Sequence, residues 1–402
     1  MPRLRHKLAK NLPELRALAT GSIPSWVTTG SDSVEGIPVF VFHGVGPERF
    51  ADQLRFLVEN GYRTLRADEL TERFDGRVLP DPKSIVLTFD DAPWSLWSHA
   101  FPLLRHYGMT AVTFAIPGLV PKEAPELPIL DLSGWTSGAP LPQLSRGDVL
   151  ARVEAAPLLS WTELRAMSDA GVIDVQSHSL FHPRVQVGPR VVDFHHPQLD
   201  CDYYGNVGLP LAGPDDPRAP RRDLVNGTPV LEFASRFGDA RSFVPDPTFG
   251  DGARTLVLEE GGAHFFEQND WRKYLRESVG AVEGRYETDD ERDDAIRHEM
   301  MQSKGVIETR LERPVSHFCY PWFEGSNRAD QIAAESGYTA SHYGLDRSFV
   351  SDQPMRGAGS IWRIPRLSEE YLERLPGQGR RSLAAIWRDR LRRRGHPRGR
   401  GI

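Results

Sequence analysis

Ser84-Ile-Val-Leu-Thr-Phe-Asp-Asp91 is a short apolar run that stops on two carboxylates. An unbroken run of this length, without alternation, suits a strand buried on both faces. The same pattern recurs on either side of it. Ile37-Pro-Val-Phe-Val-Phe42 ends at His43-Gly44, and Thr110-Ala-Val-Thr-Phe-Ala-Ile116 follows. Val172-Ile-Asp-Val-Gln176 delivers Ser177-His178, and Val315-Ser-His-Phe-Cys319 runs into Tyr320-Pro321-Trp322. Helical spacing fills the intervals at 50–60, 95–107, 161–170, 293–311 and 327–336. Gly61, Gly108, Gly171 and Gly337 stand where a left-handed cap would stop four of these helices. Strand and helix in steady alternation predict a parallel sheet covered by helices. In such folds the C-terminal strand ends gather around one mouth, and here they carry His43, Asp90, Asp91 and His178.

Composition narrows the remaining choices. The chain has 402 residues, 39% hydrophobic and 26% charged, which describes a globular protein and excludes disorder as a global description. Two cysteines allow at most one disulfide, so a stapled mini-domain is excluded. A net charge of −6 argues against a nucleic-acid partner. That charge is unevenly spread. Residues 380–402 hold nine arginines against the single acid Asp389, a net of +8, which leaves −14 for the rest of the chain. Leu383, Ile386, Trp387 and Leu391 share one helical face of this tail, and the first 20 residues show a weaker basic pattern. Such ends predict peripheral contact with an anionic membrane or a helix docked on its own acidic body. No 18-residue apolar run occurs, and the N-terminus lacks the apolar core of a leader peptide. The sequence therefore predicts a cytoplasmic protein with reduced thiols, membrane-associated if the basic ends engage. Residues 183–292 break the rhythm with Pro, Gly and Asp and no sustained periodicity, which reads as a lid or sub-domain.

The chemistry concentrates in Asp90-Asp91 and His178-Ser-Leu-Phe-His182. Two histidines four residues apart can face one point, and a carboxylate from a neighbouring strand end makes a third ligand. Three ligands with an open position describe a catalytic metal site. The second carboxylate then stays free to take a proton from a water of lowered pKa. Taken singly, an Asp pair is ordinary in a turn and a His pair ordinary on a surface; the two at strand ends of one domain are a stronger signal. No G-x-S-x-G elbow, phosphate-cradling loop or H-E-x-x-H helix occurs.

On these residues the chain resembles the NodB-type polysaccharide deacetylases, carbohydrate esterase family 4, over roughly 37–182 and 293–367. The motifs are Thr88-Phe-Asp-Asp91, His178-Ser-Leu-Phe-His182 and His317-Phe-Cys-Tyr-Pro-Trp322, with Glu59-Asn-Gly-Tyr62, Leu159-Ser-Trp-Thr-Glu-Leu164 and Glu335-Ser-Gly-Tyr338 as spacers. Phe42-His43-Gly44 is similar to the N-terminal His motif of the branch acting on poly-N-acetylglucosamine. The resemblance implies an α/β fold, a distorted (β/α) barrel with a long insertion. It divides the chain into a basic extension 1–36, a barrel 37–376 interrupted at 183–292, and an Arg-rich tail 377–402. It implies a hydrolase removing an N-acetyl group from an amino sugar, in a polysaccharide or a carrier-linked precursor. Asp90 would be the base and His43 the acid. Asp91, His178 and His182 would hold a divalent metal, zinc before cobalt or nickel, and the Trp322 amide would face the oxyanion. The same machinery on a non-sugar linear or cyclic amide is the rival reading, and an inactive carbohydrate-binding module is the other.

Two departures from the family pattern stand out. Phe323-Glu324 occupies the place of the usual Gly, and the third motif contains no Arg. Arg366 could partner a site carboxylate or lie in a surface ion pair. Tyr320, Pro321 and Trp94 could line the substrate, as could Trp97 and Trp362. His195-His196 with Asp200-Cys201-Asp202 could form a second metal site, although their irregular spacing favours a plain polar loop.

Overall fold

The computed structural model describes residues 23–78, 81, 83–121, 127–155, 158–197, 199, 207–208, 225–344 and 354–395. The first 22 residues, 396–402 and the Asp200-Cys201-Asp202 segment lie outside the described residues. The described chain divides into two compact units. The first runs to Leu180 and includes Met300–Glu324 and the chain from Ala333 onward; the second is Phe181–Glu299 with Gly325–Ile332.

Seven parallel strands carry the first unit. They are β1 (Val39–Phe42), β2 (Ser84–Asp90), β3 (Ala111–Ala115), β4 (Ile173–Ser177), β5 (His317–Cys319), β6 (Ala340–Gly344) and β7 (Trp362–Ser368). Each pairs with the next in chain order, and β1 is flanked by both β2 and β7, so the sheet closes into a barrel. Two short strands lie beside the ring, Arg63–Thr64 along β2 and Met355–Arg356 antiparallel to β7.

Alternation along each strand assigns one set of side chains to the outer layer and one to the interior. Outside, Phe42 stacks on Phe89 at 5.0 Å, and Phe50 of helix Pro47–Glu59 meets both rings edge-on at 5.5 and 5.8 Å. Truncating one such buried ring typically costs about 3–5 kcal/mol. Inside, Val86, Val112, Phe114, Cys319, Ala340 and Ile364 form one cluster. The same inward columns end in polar groups toward the strands' C-termini, notably Thr88, Asp90 and Arg366. Every residue of β2, β3, β5 and β6 is buried, so the two faces cannot be told apart by polarity alone.

The predicted helices are present, with bounds shifted by a few residues: Phe101–Tyr107 preceded by a π-helical turn Leu96–Ala100, then Trp161–Asp169, Asp289–Leu311 and Asn327–Glu335. Gly108 ends its helix at φ 65°, as its position predicted. Ser160 and Glu163 form a reciprocal capping box at the start of Trp161–Asp169.

The second unit shows regular structure within 183–292, the stretch read as a lid or sub-domain. Strand Arg184–Phe194 pairs antiparallel with Pro229–Ser235 through register shifts around Val191, and Phe243–Pro245 pairs with Gly284–Tyr286. Bulged and short strands leave little periodicity for a sequence reading to find. Helices Asp251–Glu259 and Trp271–Val279 close over a core of Phe194, Ala253, Val257, Phe265, Phe266, Trp271 and Leu275. Gly227, at φ 90°, admits this packing: a Cβ there would stand 2.8 Å from Val257 and 2.9 Å from the Ala253 carbonyl.

In the described part of the basic tail, helix Leu383–Gly395 buries Ile386 and pairs Arg390 with Glu370. Arg381 reaches Glu373 and Asp389. Among the described residues, no helix is long and apolar enough to cross a membrane.

Candidate metal and catalytic site

Three turns at the C-terminal mouth of the barrel carry unusual backbone. β2 passes into Asp91 (φ 67°) and Ala92 (φ 50°), and β4 leads into Ser179 (φ 69°) and His182 (φ 56°). β5 leads into Trp322 (φ 61°) and Phe323 (φ 63°). Four of the eight described non-glycine residues with positive φ therefore fall on the three sequence motifs, and two more, Ala92 and Phe323, directly follow them. Left-handed backbone costs an L-residue roughly 1–2 kcal/mol, and such strain persists where surrounding structure demands a particular side-chain placement. At the third turn the amides of Phe323 and Glu324 bond to Tyr320 O and Pro321 O, which fixes the direction of the Trp322 peptide.

Asp90 closes β2 with its carboxylate inside the barrel, 2% exposed. Arg366 of β7, also 2% exposed, grips it with both terminal nitrogens, Nη1 to Oδ1 at 2.6 Å and Nη2 to Oδ2 at 2.9 Å. Burial alone would raise the carboxyl pKa. The Arg366 guanidinium, followed by His178 and His43, overcomes that and holds Asp90 well below the usual carboxylate range. Paired planar groups of this kind carry both charge and geometry. Phe323 covers the guanidinium at 5.2 Å and meets the His43 ring edge-on at 5.7 Å. His43 is largely exposed, and its Nε2 stands 3.8 Å from Asp90 Oδ2.

The neighbouring histidine has a fixed tautomer. His178 Nδ1–H donates to Cys319 O at 2.8 Å, so its Nε2 carries the lone pair. That nitrogen lies 3.5 Å from Asp91 Oδ1 and 4.0 Å from Asp90 Oδ2. Burial lowers the His178 pKa to about 4, which keeps the imidazole neutral, the form a metal requires. Burial, reinforced by the Asp90 charge, pushes Asp91 up to about 7.

Two donor groups share His178. Asp91, His178 and His182, the last brought there by the chain four residues on, offer ligand atoms within 4.8 Å of one another, and so do Asp90, His178 and Cys319. The second group is chemically poor. Its carboxylate is already committed to Arg366, and burial raises the Cys319 thiol well above its usual value, so it stays protonated. The first group has two imidazoles and a carboxylate, a donor set fitting a divalent transition metal with an open position.

The remaining candidates have the following places. Tyr320 is fully buried, packed on Phe318 and Tyr343 at 5.1 and 4.8 Å, and Pro321 is buried beside it. Trp362 sits at the N-terminal start of β7, with its ring against Phe74 and its Nε1–H on Asp75, at the end of the strand opposite Arg366. Trp97 stacks on Phe101 and donates to Leu127 O, a packing role. Trp94 lies half-buried, edge-on to His99 at 5.2 Å. His196 packs on Phe266 and Trp271 in the second unit, while Asp200-Cys201-Asp202, its suggested partners, lie outside the described residues. Arg366 is the reverse case: the surface ion pair considered for it is replaced by the buried grip on Asp90. The sequence reading missed Phe323 as the plate over Arg366, and the inward-facing His317 and His342, while Cys319 is the core residue its apolar run suggested. The signal for the two histidines was an alternate-residue register along β5 and β6.

An acid pair and histidines thus gather at the C-terminal mouth of a closed parallel barrel. Residues 78–198 match the polysaccharide deacetylase family. YxkH of Bacillus subtilis strain 168 is 27% identical over 100 residues, 23% of this chain and 35% of the relative. Poly-beta-1,6-N-acetyl-D-glucosamine N-deacetylase of Escherichia coli K12 is 27% identical over 139 residues, 34% of this chain and 18% of the relative. These matches thus span about a third or less of the relatives' own length. Among solved structures, a de-N-acetylase from Aggregatibacter actinomycetemcomitans is similar at TM-score 0.46 and 14% identity, covering 83% of this chain and 93% of that one.

Proposed function

We propose that this chain is a metal-dependent amidohydrolase that removes the N-acetyl group from an N-acetylglucosamine-type sugar, in a polysaccharide or its carrier-linked precursor. The observation that carries this reading is the neighbourhood of three side chains at one mouth. A neutral His178 with its Nε2 lone pair presented and an exposed His43 both lie within 4.0 Å of the ionised Asp90 carboxylate. The family match over 78–198 supports the reaction class.

Asp91, His178 and His182 would hold the cation, zinc by donor chemistry, with cobalt or nickel able to replace it. Such a cation, when bound, lowers the pKa of a water and polarises a carbonyl. The chain's own groups do the rest. Asp90, held charged by Arg366, takes the proton of the attacking water. The Trp322 peptide N–H donates to the oxygen that gains charge as the acetyl carbon becomes tetrahedral. His43, open to solvent beside Asp90, gives its proton to the departing amine.

The test is acetate release from N-acetylglucosamine oligomers, with bound metal measured on the same samples. Asp90→Asn should lower kcat about 10²–10⁴-fold and keep its metal. Asp91→Asn should lose metal and activity together, and chelation of the unsubstituted protein should abolish turnover until zinc or cobalt is returned. Full activity in Asp90→Asn overturns the mechanism. Turnover of simple amides but not of the oligomers would move the substrate to the rival amide class.

A further inference from the structure

Below the site, three side chains form a hydrogen-bonded file along the inner wall of the barrel. Thr71 Oγ1 lies 2.9 Å from both Ala67 O and His317 Nε2; with its single proton given to the carbonyl, it accepts from the imidazole. His317 is therefore protonated on Nε2, and its Nδ1 accepts. At 3.0 Å from that Nδ1 stands His342 Nε2, which must be the donor. His342 Nδ1 is then an unprotonated acceptor, and His342 is only 1% exposed. Its Nδ1 has no hydrogen-bond partner among the described residues.

A matching donor lies on the adjacent strand. Arg366 spends Nη1 and Nη2 on Asp90, while its buried Nε–H has no partner among the described residues. His342 opposes Ile364 and Gly344 opposes Arg366, so the two side chains rise from neighbouring inward positions of β6 and β7. Both lie against one ring, Phe114, at 4.7 Å for the imidazole and 5.5 Å for the guanidinium. An orphan acceptor and an orphan donor in one closed interior are the two partners a buried water needs.

We propose that His342 and Arg366 hold one water between them, and that His342 is through it a positioning residue for the guanidinium that grips Asp90. Every proton then points the same way. Arg366 Nε–H donates to the water and the water to His342 Nδ1. His342 donates to His317, His317 to Thr71, and Thr71 to the carbonyl of Ala67. The file anchors the far side of Arg366 to helix Ala67–Phe74, so the guanidinium cannot pivot about its bond to Asp90. The catalytic part of this inference rests on Asp90 acting as base; the water and the tautomers do not.

Long-range ¹H–¹⁵N correlation spectra of the full chain, labelled in histidine, test the tautomers directly. The file requires Nε2–H on both His317 and His342, with the His342 Nδ1 resonance displaced as an accepting nitrogen. A proton on His342 Nδ1, or a free lone pair there, overturns the proposal. Kinetics test the positioning role. His342→Leu should lower kcat about tenfold with KM within about twofold, the signature of a misplaced catalytic group. His342→Gln can donate to His317 and accept from the water, so it should recover to within about threefold of the unsubstituted enzyme. Unchanged kcat in His342→Leu, with its fold and metal content intact, overturns the positioning role. If no sugar amide is turned over, the proposed function fails while the spectra still decide the file.

Discussion

Arg366 gives Asp90 its charge, and the energetics of that pair set what substitution will do. Both groups are almost wholly buried, and a buried pair is stabilising only while both partners remain. Arg366→Met strands an ionised carboxylate in an apolar interior and should cost about 3–5 kcal/mol in urea unfolding at pH 7. The pH dependence should change sign as well. In the unsubstituted protein the folded carboxyl lies below its ordinary value, so its contribution is fully present above about pH 4 and is lost as the medium becomes more acidic. In Arg366→Met the same carboxyl is raised by burial, so the variant should regain stability relative to the parent as pH falls from 7 to 5. Parallel pH trends for the two proteins would show that Arg366 does not control Asp90. This pairing was only half legible in the sequence. Asp90 announces itself at a strand end, whereas Arg366 follows Pro365 in a segment whose partner is some 276 residues away in the chain.

Strand β6 and helix Ala67–Phe74 show why whole elements escaped the sequence reading. Ala340-Ser-His-Tyr-Gly344 is buried at every position, yet three of its five residues are polar or glycine, which suppresses the apolar-run signal. A closed barrel tolerates such residues because its interior satisfies them across strands: His342 on His317, and Gln176 Oε1 on the amides of Ser316 and His317. The strand ends were readable for the opposite reason, since an apolar run stopping abruptly on His or Asp needs no partner to be noticed. The interior histidines have a consequence for acid stability. Burial lowers the His317 pKa to about 3, while an unfolded imidazole takes up its proton near pH 6.5. Between those values the unfolded chain binds more protons, so stability is full above pH 6.5 and falls as pH drops toward 3. His317→Asn removes that proton. The stability advantage of the parent over this variant should shrink by roughly 1.4 kcal/mol per pH unit below about 6. Urea midpoints of both proteins at pH 7, 6 and 5 measure it, and a constant gap would mean that His317 is not buried neutral.

At the scale of the whole molecule, composition indicated an acidic body with a basic tail but could not say where the tail's charge is spent. Helical spacing alone permits two destinations for Leu383, Ile386, Trp387 and Arg390, a lipid surface or the protein itself. The described helix favours the second. Ile386 is 1% exposed, Arg390 pairs with Glu370, and the Arg390 guanidinium lies over Trp387 at 4.5 Å and Tyr371 at 5.8 Å. A helix that has buried Ile386 and paired Arg390 has spent part of what it would need to enter a bilayer interface. Two arginines of the tail meet acids of the body, Arg390 on Glu370 and Arg381 on Glu373. Arg390→Met should therefore destabilise the folded chain by about 3 kcal/mol, because it leaves Glu370 buried without its partner. Vesicle pelleting decides between the destinations. The full chain and a chain ending at Gly379 should sediment equally little with phosphatidylserine vesicles at physiological salt, while the shortened chain unfolds at lower urea. If the full chain pellets and the shortened one does not, with unchanged urea midpoints, the helix is a membrane element and its packing on Glu370 carries no stability.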